Sequence, residues 1–443
     1  MQELAHLTAA EAARRIAAGE LRSTELVAAL IAQISAREPE VQAFAHFDPD
    51  QAMEGAKAAD LTREKGEPVG ALHGVPVALK DIIDTATMPT ENGTPLHAGR
   101  RPVADAAVVA RLREAGAVIL GKTVTAELAV LHPGKTRNPA NPAHTPGGSS
   151  SGSAAAVAAH MAPAALGTQT NGSVIRPAAF CGAHALKPTF GLISRWGVLE
   201  EAPSLDTIGV FARSVEDLAL LTDCLAGFDP RDPDMRPAPR APMRPIAMSE
   251  PPIPPLFAFI KTPVWEKASA ATVDAFAELA ETLGAQCREV ELPAAFNHVY
   301  EMQRVVMLSE LAVSYGRLYD AGSSQMSAVL RGLIEEGRRY AAGDYIRARR
   351  AQEALWPVLA EVFENFDAIL TPAAPGPAPA GLDATGDPSF CTLWTYFGAP
   401  ALNLPLFAVD GLPMGAQLVG ARGEDARLMR TARWLERFAE TGS

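Results

Sequence analysis

Over the first 65 positions apolar residues recur at helical intervals. The stretch LTAAEAARRIAAGEL predicts a helix, with Thr8 and Glu11 at capping-box separation. STELVAALIAQISARE predicts a second, with Ser23 and Thr24 placed to cap it. The pattern then changes. GVPVALKDIIDT is a short β-branched run after a glycine and a proline, and DAAVVARLREAGAVILGKT reads as helix, turn and buried strand. Strand alternating with helix predicts an α/β architecture. From Phe228 to Pro263 the chain is rich in proline, which predicts a surface crossover around a short strand at Pro245–Met248. SAATVDAFAELAETLGAQCREVELP returns to helix then strand, and residues 295–365 read as mostly helical. FDAILTPAAP, APALNLPLF and PMGAQLVGA read as strands, and EDARLMRTARWLERFAE as a closing helix. No internal repeat is visible. The expectation is one domain over 1–443: N-terminal helices (1–65), a core segment (66–228), the proline-rich crossover (229–263), a helical insertion (264–366) and a return to the core (367–443).

Composition narrows the function classes. The 443 residues are 48% apolar and 20% charged, with a formal charge of -12. An acidic chain without a lysine or arginine cluster repels phosphate backbones, which argues against nucleic-acid binding. Cys181, Cys224, Cys287 and Cys391 are far apart and show no metal-site spacing. No metal or cofactor is implied. The N-terminus lacks a basic start and apolar stretch, and no run approaches the roughly 18 apolar residues of a membrane span. A reduced, cytoplasmic setting is expected.

Three motifs compete for the chemistry. GAVILGKT, Gly116–Thr123, fits the phosphate-loop spacing, but Ala117, Val118, Ile119 and Leu120 read as buried strand where the loop's free amides are needed. Gly148-Ser149-Ser150-Ser151-Gly152 fits the Gly-x-Ser-x-Gly elbow, which requires a strand running into the serine. What precedes it is TRNPANPAHTPG, with prolines at 139, 142 and 146. The third pattern is long: GGSSSGSAAAVAAHMAPAALGTQTNGSVIRPAAFCG holds a glycine-serine loop, an alanine-rich helix, an apolar strand and a second Gly-Ser turn at Gly172-Ser173.

With GVPVALKDIIDT, TRNP, KPTFGLIS, SLDTIGVFARSVEDLALL and GAPALNLPL, this ordered pattern resembles the amidase signature family. The resemblance covers most of the chain apart from the helical insertion. It implies a central mixed β-sheet flanked by helices on both faces. It also implies a Ser-Ser-Lys triad, in which the lysine matches Lys80, the bridging serine Ser149 and the nucleophile Ser173, 24 residues further on. Ser149 would follow a cis peptide bond. The backbone N–H groups of Thr170, Asn171, Gly172 and Ser173 would form the oxyanion hole.

A serine nucleophile needs a base, and lysine serves only when neutral, which requires its pKa of about 10.4 to fall by about 3 units. The apolar neighbours of Lys80 favour that fall. Pairing with Asp81 or Asp84 would oppose it, although strand alternation sends Asp81 to the other face. The family often has a glycine where this chain has Asn171, whose side chain therefore enters the substrate space; asparagine tolerates left-handed backbone. Arg176 matches a position that holds a substrate carboxylate in some small-acid amidases, and pairing with a local carboxylate is the competing role. Tyr300, Met302, Met307, Trp394 and Tyr396 are expected in the pocket wall. The implied reaction is hydrolysis of a small-molecule amide, carbamate, anilide or ester, with water as acyl acceptor. A homodimer is left open. The alternatives are an amidase-fold subunit of a tRNA-dependent transamidation complex and a catalytically silent scaffold.

Overall fold

The computed structural model describes residues 2–239 and 241–441. Among them, eleven strands form one mixed sheet in the order β1-β3-β2-β4-β6-β5-β10-β11-β9-β7-β8. In chain order these are β1 (Phe44–His46), β2 (Pro76–Lys80), β3 (Val118–Thr123), β4 (Ala164–Gln169), β5 (His184–Lys187) and β6 (Thr207–Ala212). They continue with β7 (Phe257–Phe259), β8 (Cys287–Glu289), β9 (Ala368–Pro372), β10 (Ala401–Val409) and β11 (Leu412–Val419). β2 runs parallel to both β3 and β4, while β4, β6, β5, β10 and β11 pair antiparallel in turn.

Alternation along each strand feeds two apolar layers. Val77 and Leu79 of β2 pack with the helices Ala9–Ala18, Val215–Leu225 and Asp425–Thr441. Ala78 packs on the other face with Ser151–Ala158, Ile175–Cys181 and Ser389–Tyr396. The sheet is therefore covered on both faces by helices, and β2, β3 and β4 are buried throughout.

Most elements lie where the pattern puts them, and the differences have local causes. Thr8 caps its helix by accepting from the Glu11 amide at 3.2 Å. Ser23 and Thr24, however, do not cap theirs. Both lie in the first turn of Ser23–Val41, and the Asp60 carboxylate of a neighbouring helix accepts from their amides at 2.7 and 3.1 Å. A distant carboxylate thus fills a place that sequence spacing assigns to a local hydroxyl. The strand expected at Pro245–Met248 is a short helix, Met243–Ala247. The Asp223 carboxylate takes its first amides, Met243 at 2.7 Å and Arg244 at 2.8 Å, which favours the helical turn. The strand of this region comes later, at Phe257–Phe259.

The insertion supplies a roof. The helices Val299–Ser314 and Ala328–Gly337 pack on Leu128 and Val130, and the Tyr315 hydroxyl donates to the Leu128 carbonyl at 2.7 Å. This contact ties the helices to the segment that follows β3. Among the described residues no helix is long and apolar enough to cross a membrane.

Candidate active site

Lys80 is the last residue of β2 and is fully buried. Its Nζ lies 2.7 Å from Ser149 Oγ and 2.8 Å from Thr168 Oγ1. Among the described residues no carboxylate bonds it. Asp81 faces away and pairs with Lys122 at 3.2 Å, while Asp84 holds Arg100 at 2.6 Å. Burial pushes the Lys80 pKa down to about 7, with Glu201 and Asp206 pulling it partly back. In the neutral state an N–H of Lys80 can donate to Thr168, which turns the nitrogen lone pair toward the Ser149 hydroxyl. Thr168 was not visible as a site residue in the sequence, because only the parallel register of β2 and β4 brings it to Lys80.

The glycine-serine loop enters the helix Ser151–Ala158, and the Gly148–Ser149 peptide is cis. Each of its serines has a different environment. Ser150 Oγ donates to the Thr168 carbonyl at 3.1 Å and accepts from the Thr168 amide at 3.2 Å. Ser151 Oγ donates to the Val124 carbonyl at 3.3 Å. These two tie the loop to strands, leaving Ser149 against the lysine. Gly152 is required by close packing: a Cβ there would sit 2.3 Å from the Ala43 carbonyl oxygen. No strand runs into the loop, which excludes the elbow. The GKT triplet is likewise buried strand, and its Lys122 serves Asp81 and the Thr90 hydroxyl, the latter at 2.6 Å.

Ser173 lies beyond β4 in a turn held by side chains. Gln169 Oε1 accepts from the amides of Val174 and Ile175 at 2.8 and 3.0 Å, and its Nε2 donates to Thr395 Oγ1 at 2.9 Å. That threonine donates to the Asn171 carbonyl at 2.6 Å. Among the described residues, the N–H groups of Asn171, Gly172 and Ser173 serve no acceptor of the chain, and the Ser173 hydroxyl bonds to no other side chain. Asn171 does not occupy left-handed backbone, so the exchange for glycine brings no strain there. Its Oδ1 accepts from Thr392 Oγ1 at 2.6 Å, which turns the amide nitrogen away from that helix.

The turn forms one wall of a cavity of about 300 Å³, within the range of small-molecule sites. Ser173, Asn171, Arg176, Glu201, Tyr300 and Met307 all line it. Three expected wall residues do not. Trp394 and Tyr396 are fully buried in the core, because the helix Ser389–Tyr396 turns Ser389 and Thr392 to the cavity instead. Met302 packs into the same apolar layer, away from the opening.

Arg176 does not take the competing role expected of it, pairing with a local carboxylate. No carboxylate among the described residues hydrogen-bonds it. Its nitrogens donate to the carbonyls of Gly386 and Gly148, the latter at 2.6 Å, and to Thr385 Oγ1 at 3.3 Å. Burial lowers its pKa to about 10, which leaves it charged at neutral pH. It therefore anchors the carbonyl of the cis peptide that precedes Ser149.

The Amidase family pattern matches residues 25–429. The chain belongs to the amidase family. It is 35% identical to a glutamyl-tRNA(Gln) amidotransferase subunit of Chloroflexus aurantiacus, over 99% of this chain and 98% of that one. The corresponding protein of Anaeromyxobacter dehalogenans is 37% identical over 98% and 97% of the two chains. Among solved structures, the peptide amidase of Stenotrophomonas maltophilia superposes with a TM-score of 0.86 at 32% identity, covering 99% of this chain and 98% of that one. A 6-aminohexanoate cyclic dimer hydrolase superposes with a TM-score of 0.87 at 26% identity, covering 98% and 97%. The single α/β domain and its mixed sheet are those of amidase-family enzymes that act on carbon–nitrogen bonds.

Proposed function

We propose that this amidase-family chain hydrolyses small amides, anilides or carbamates through an acyl-enzyme on Ser173, with Ser149 and Lys80 as its proton relay. The observation that carries the reading is the buried Lys80 Nζ, placed 2.7 Å from Ser149 Oγ with no carboxylate of the described residues bonded to it. In the reaction the Ser173 oxygen bonds to the substrate carbonyl carbon. Its proton passes to Ser149, and the Ser149 proton to Lys80. The unoccupied amides of the Asn171–Ser173 turn, with that of Thr170 beside them, face the developing oxyanion. Collapse breaks the C–N bond, and the amine leaves with the proton held by Lys80. Water then attacks the ester along the same relay in reverse, releasing the acid and Ser173.

Arg176 lines the cavity as a charge that no carboxylate of the described residues bonds, which suits it to a substrate carboxylate as well as to the Gly148 carbonyl. The test of the reaction is release of amine from a panel of amides, anilides and carbamates by the purified chain, set against Ser173→Ala. No turnover by the wild type on any of them would remove the hydrolase reading.

A second reading rests on the amidotransferase relatives: the chain is the amide-cleaving component of a transamidation complex, its acyl-enzyme chemistry unchanged. The same panel separates the two. Turnover by the isolated chain supports the free hydrolase, whereas turnover that appears only when partner proteins are added supports the complex.

Asn171 gives a prediction on selectivity. Asn171→Gly keeps the turn, because Gln169 and Thr395 hold the backbone independently of that side chain. It removes the amide nitrogen from the cavity, a hydrogen bond of about 0.5–1.5 kcal/mol, or roughly 2- to 13-fold in rate. Relative kcat/KM values for matched small and bulky acyl groups should reorder, with the bulky ones gaining. A uniform loss above about a hundredfold on every substrate would instead place Asn171 in the catalytic apparatus.

A further inference from the structure

Among the described residues, Glu201 is the one carboxyl group of the cavity wall that no basic side chain pairs. It lies in the loop between β5 and β6. The adjacent Glu200 is exposed, but Glu201 is only 6% exposed and lines the same cavity as Ser173. Asp387, the other carboxylate of the wall, is paired with Lys267 at 2.9 Å.

The surroundings of Glu201 leave part of its carboxyl without a protein donor. The nearest hydroxyl, that of Thr170, gives its proton to Asp206 Oδ1 at 2.5 Å. Asp206 is further satisfied by the amides of Glu201 and Ala202, at 2.8 and 3.1 Å. Arg195, on the far side of Asp206, is taken by Asp232 and Asp234 at 2.7 and 2.5 Å. Among the described residues the Thr170 hydroxyl is the one side chain in hydrogen-bonding range of the Glu201 carboxyl, and no basic group bonds it. The rest of the carboxyl meets the cavity, and it loses its partner only when a substrate excludes water from it. The cavity it faces is the space a substrate fills.

We propose that Glu201 is an acceptor subsite for an N–H or O–H donor carried by the substrate beside its scissile bond, so that the chain selects amides bearing an amino, hydroxyl or carboxamide group over hydrocarbon isosteres. This deepens the hydrolase reading and rests on it. Burial and the neighbouring Asp206 push the Glu201 pKa up to about 8, so the group is neutral at pH 7. A neutral carboxyl that offers its proton to the Thr170 oxygen still turns a carbonyl oxygen to the cavity. Selection works by what is left unmade: a substrate with a methyl group in that place excludes water from Glu201 and gives it no partner.

The experiment is a ladder of straight-chain primary amides of increasing length, each made with a methyl, hydroxyl or amino end of matched size. kcat/KM is measured for the wild type, Glu201→Gln and Glu201→Leu. At one chain length the wild type should prefer the donor-ended amides by about 5- to 150-fold, the rate equivalent of a buried acceptor satisfied or left unmade. Glu201→Gln keeps a carbonyl acceptor and should retain most of that preference. Glu201→Leu should abolish or invert it, read as the ratio of kcat/KM for matched ends within the one variant, which a change in Lys80 leaves untouched. If the leucine variant does not fold by circular dichroism, Glu201→Ala takes its place. Equal rates for the three ends at every length in the wild type would overturn the subsite and leave the hydrolase standing. So would a preference unchanged in the leucine or alanine variant. Failure to cleave any member, together with no labelling of Ser173 by a fluorophosphonate, would overturn the underlying reaction instead.

Discussion

Lys80→Met should lower kcat/KM by about 10²–10⁴-fold, the contribution of a positioned proton transfer, and leave the fold intact. Methionine matches the length of the buried stem and cannot accept a proton. Its effect on stability is expected to be small because two effects oppose. Lysine here has a pKa lowered from 10.5 to about 7, and the unfolded chain therefore binds its proton more tightly. By linkage the residue destabilises the fold by about 5 kcal/mol below pH 7, and that penalty fades as pH rises toward 10.5. Methionine removes the penalty but leaves the hydroxyls of Ser149 and Thr168 short of a partner, at about 1–3 kcal/mol each. The melting temperature at pH 7 should stay within a few degrees of the wild type. In the wild type the pH–rate profile should rise with pH through about 7, as Lys80 loses its proton, and then level. A variant that retained more than about a tenth of the activity would remove Lys80 from the relay.

Ser173→Ala should be the more damaging change, about 10⁴-fold or beyond, since the other hydroxyl of the turn, that of Thr170, is held by Asp206 and not by the lysine relay. Ser149→Ala should slow acylation by about 10²–10³-fold while leaving Ser173 able to be acylated. Ser150→Ala and Ser151→Ala act on loop tethering: Ser150 bridges both polar groups of Thr168, and Ser151 reaches the Val124 carbonyl. Losing either should affect melting more than chemistry, with activity falling less than about tenfold. Rapid quench followed by peptide mapping separates these outcomes. An acyl adduct on Ser150 would reinstate the elbow.

The serine loop, Lys80 and the Ser173 turn were legible because together they form a long ordered pattern that resembles the amidase signature; the local pattern alone stated only their elements. The apolar run through Val77 and Leu79 reads as strand, and the alanine run after Ser153 as helix. What stayed hidden depends on contacts between distant segments. Thr168 becomes a partner of Lys80 through the register of two parallel strands, 88 residues apart in sequence. Asp60 caps the helix Ser23–Val41 from another element, and Asp223 turns Met243–Ala247 into helix. Trp394 and Tyr396 carry the composition of a pocket wall but occupy the inward face of their helix, a choice set by packing and not by residue type. Glu201 gave no signal, since paired glutamates in a loop are usually solvated.

The account turns on which atom carries the acyl group. The most direct measurement is intact mass and peptide mapping of the chain quenched during turnover of an activated ester or anilide, for the wild type and Ser173→Ala side by side. The account predicts a mass increase equal to the acyl group, mapped to the peptide containing Ser173 and absent from Ser173→Ala. An adduct on another residue, or full turnover by Ser173→Ala, would contradict it.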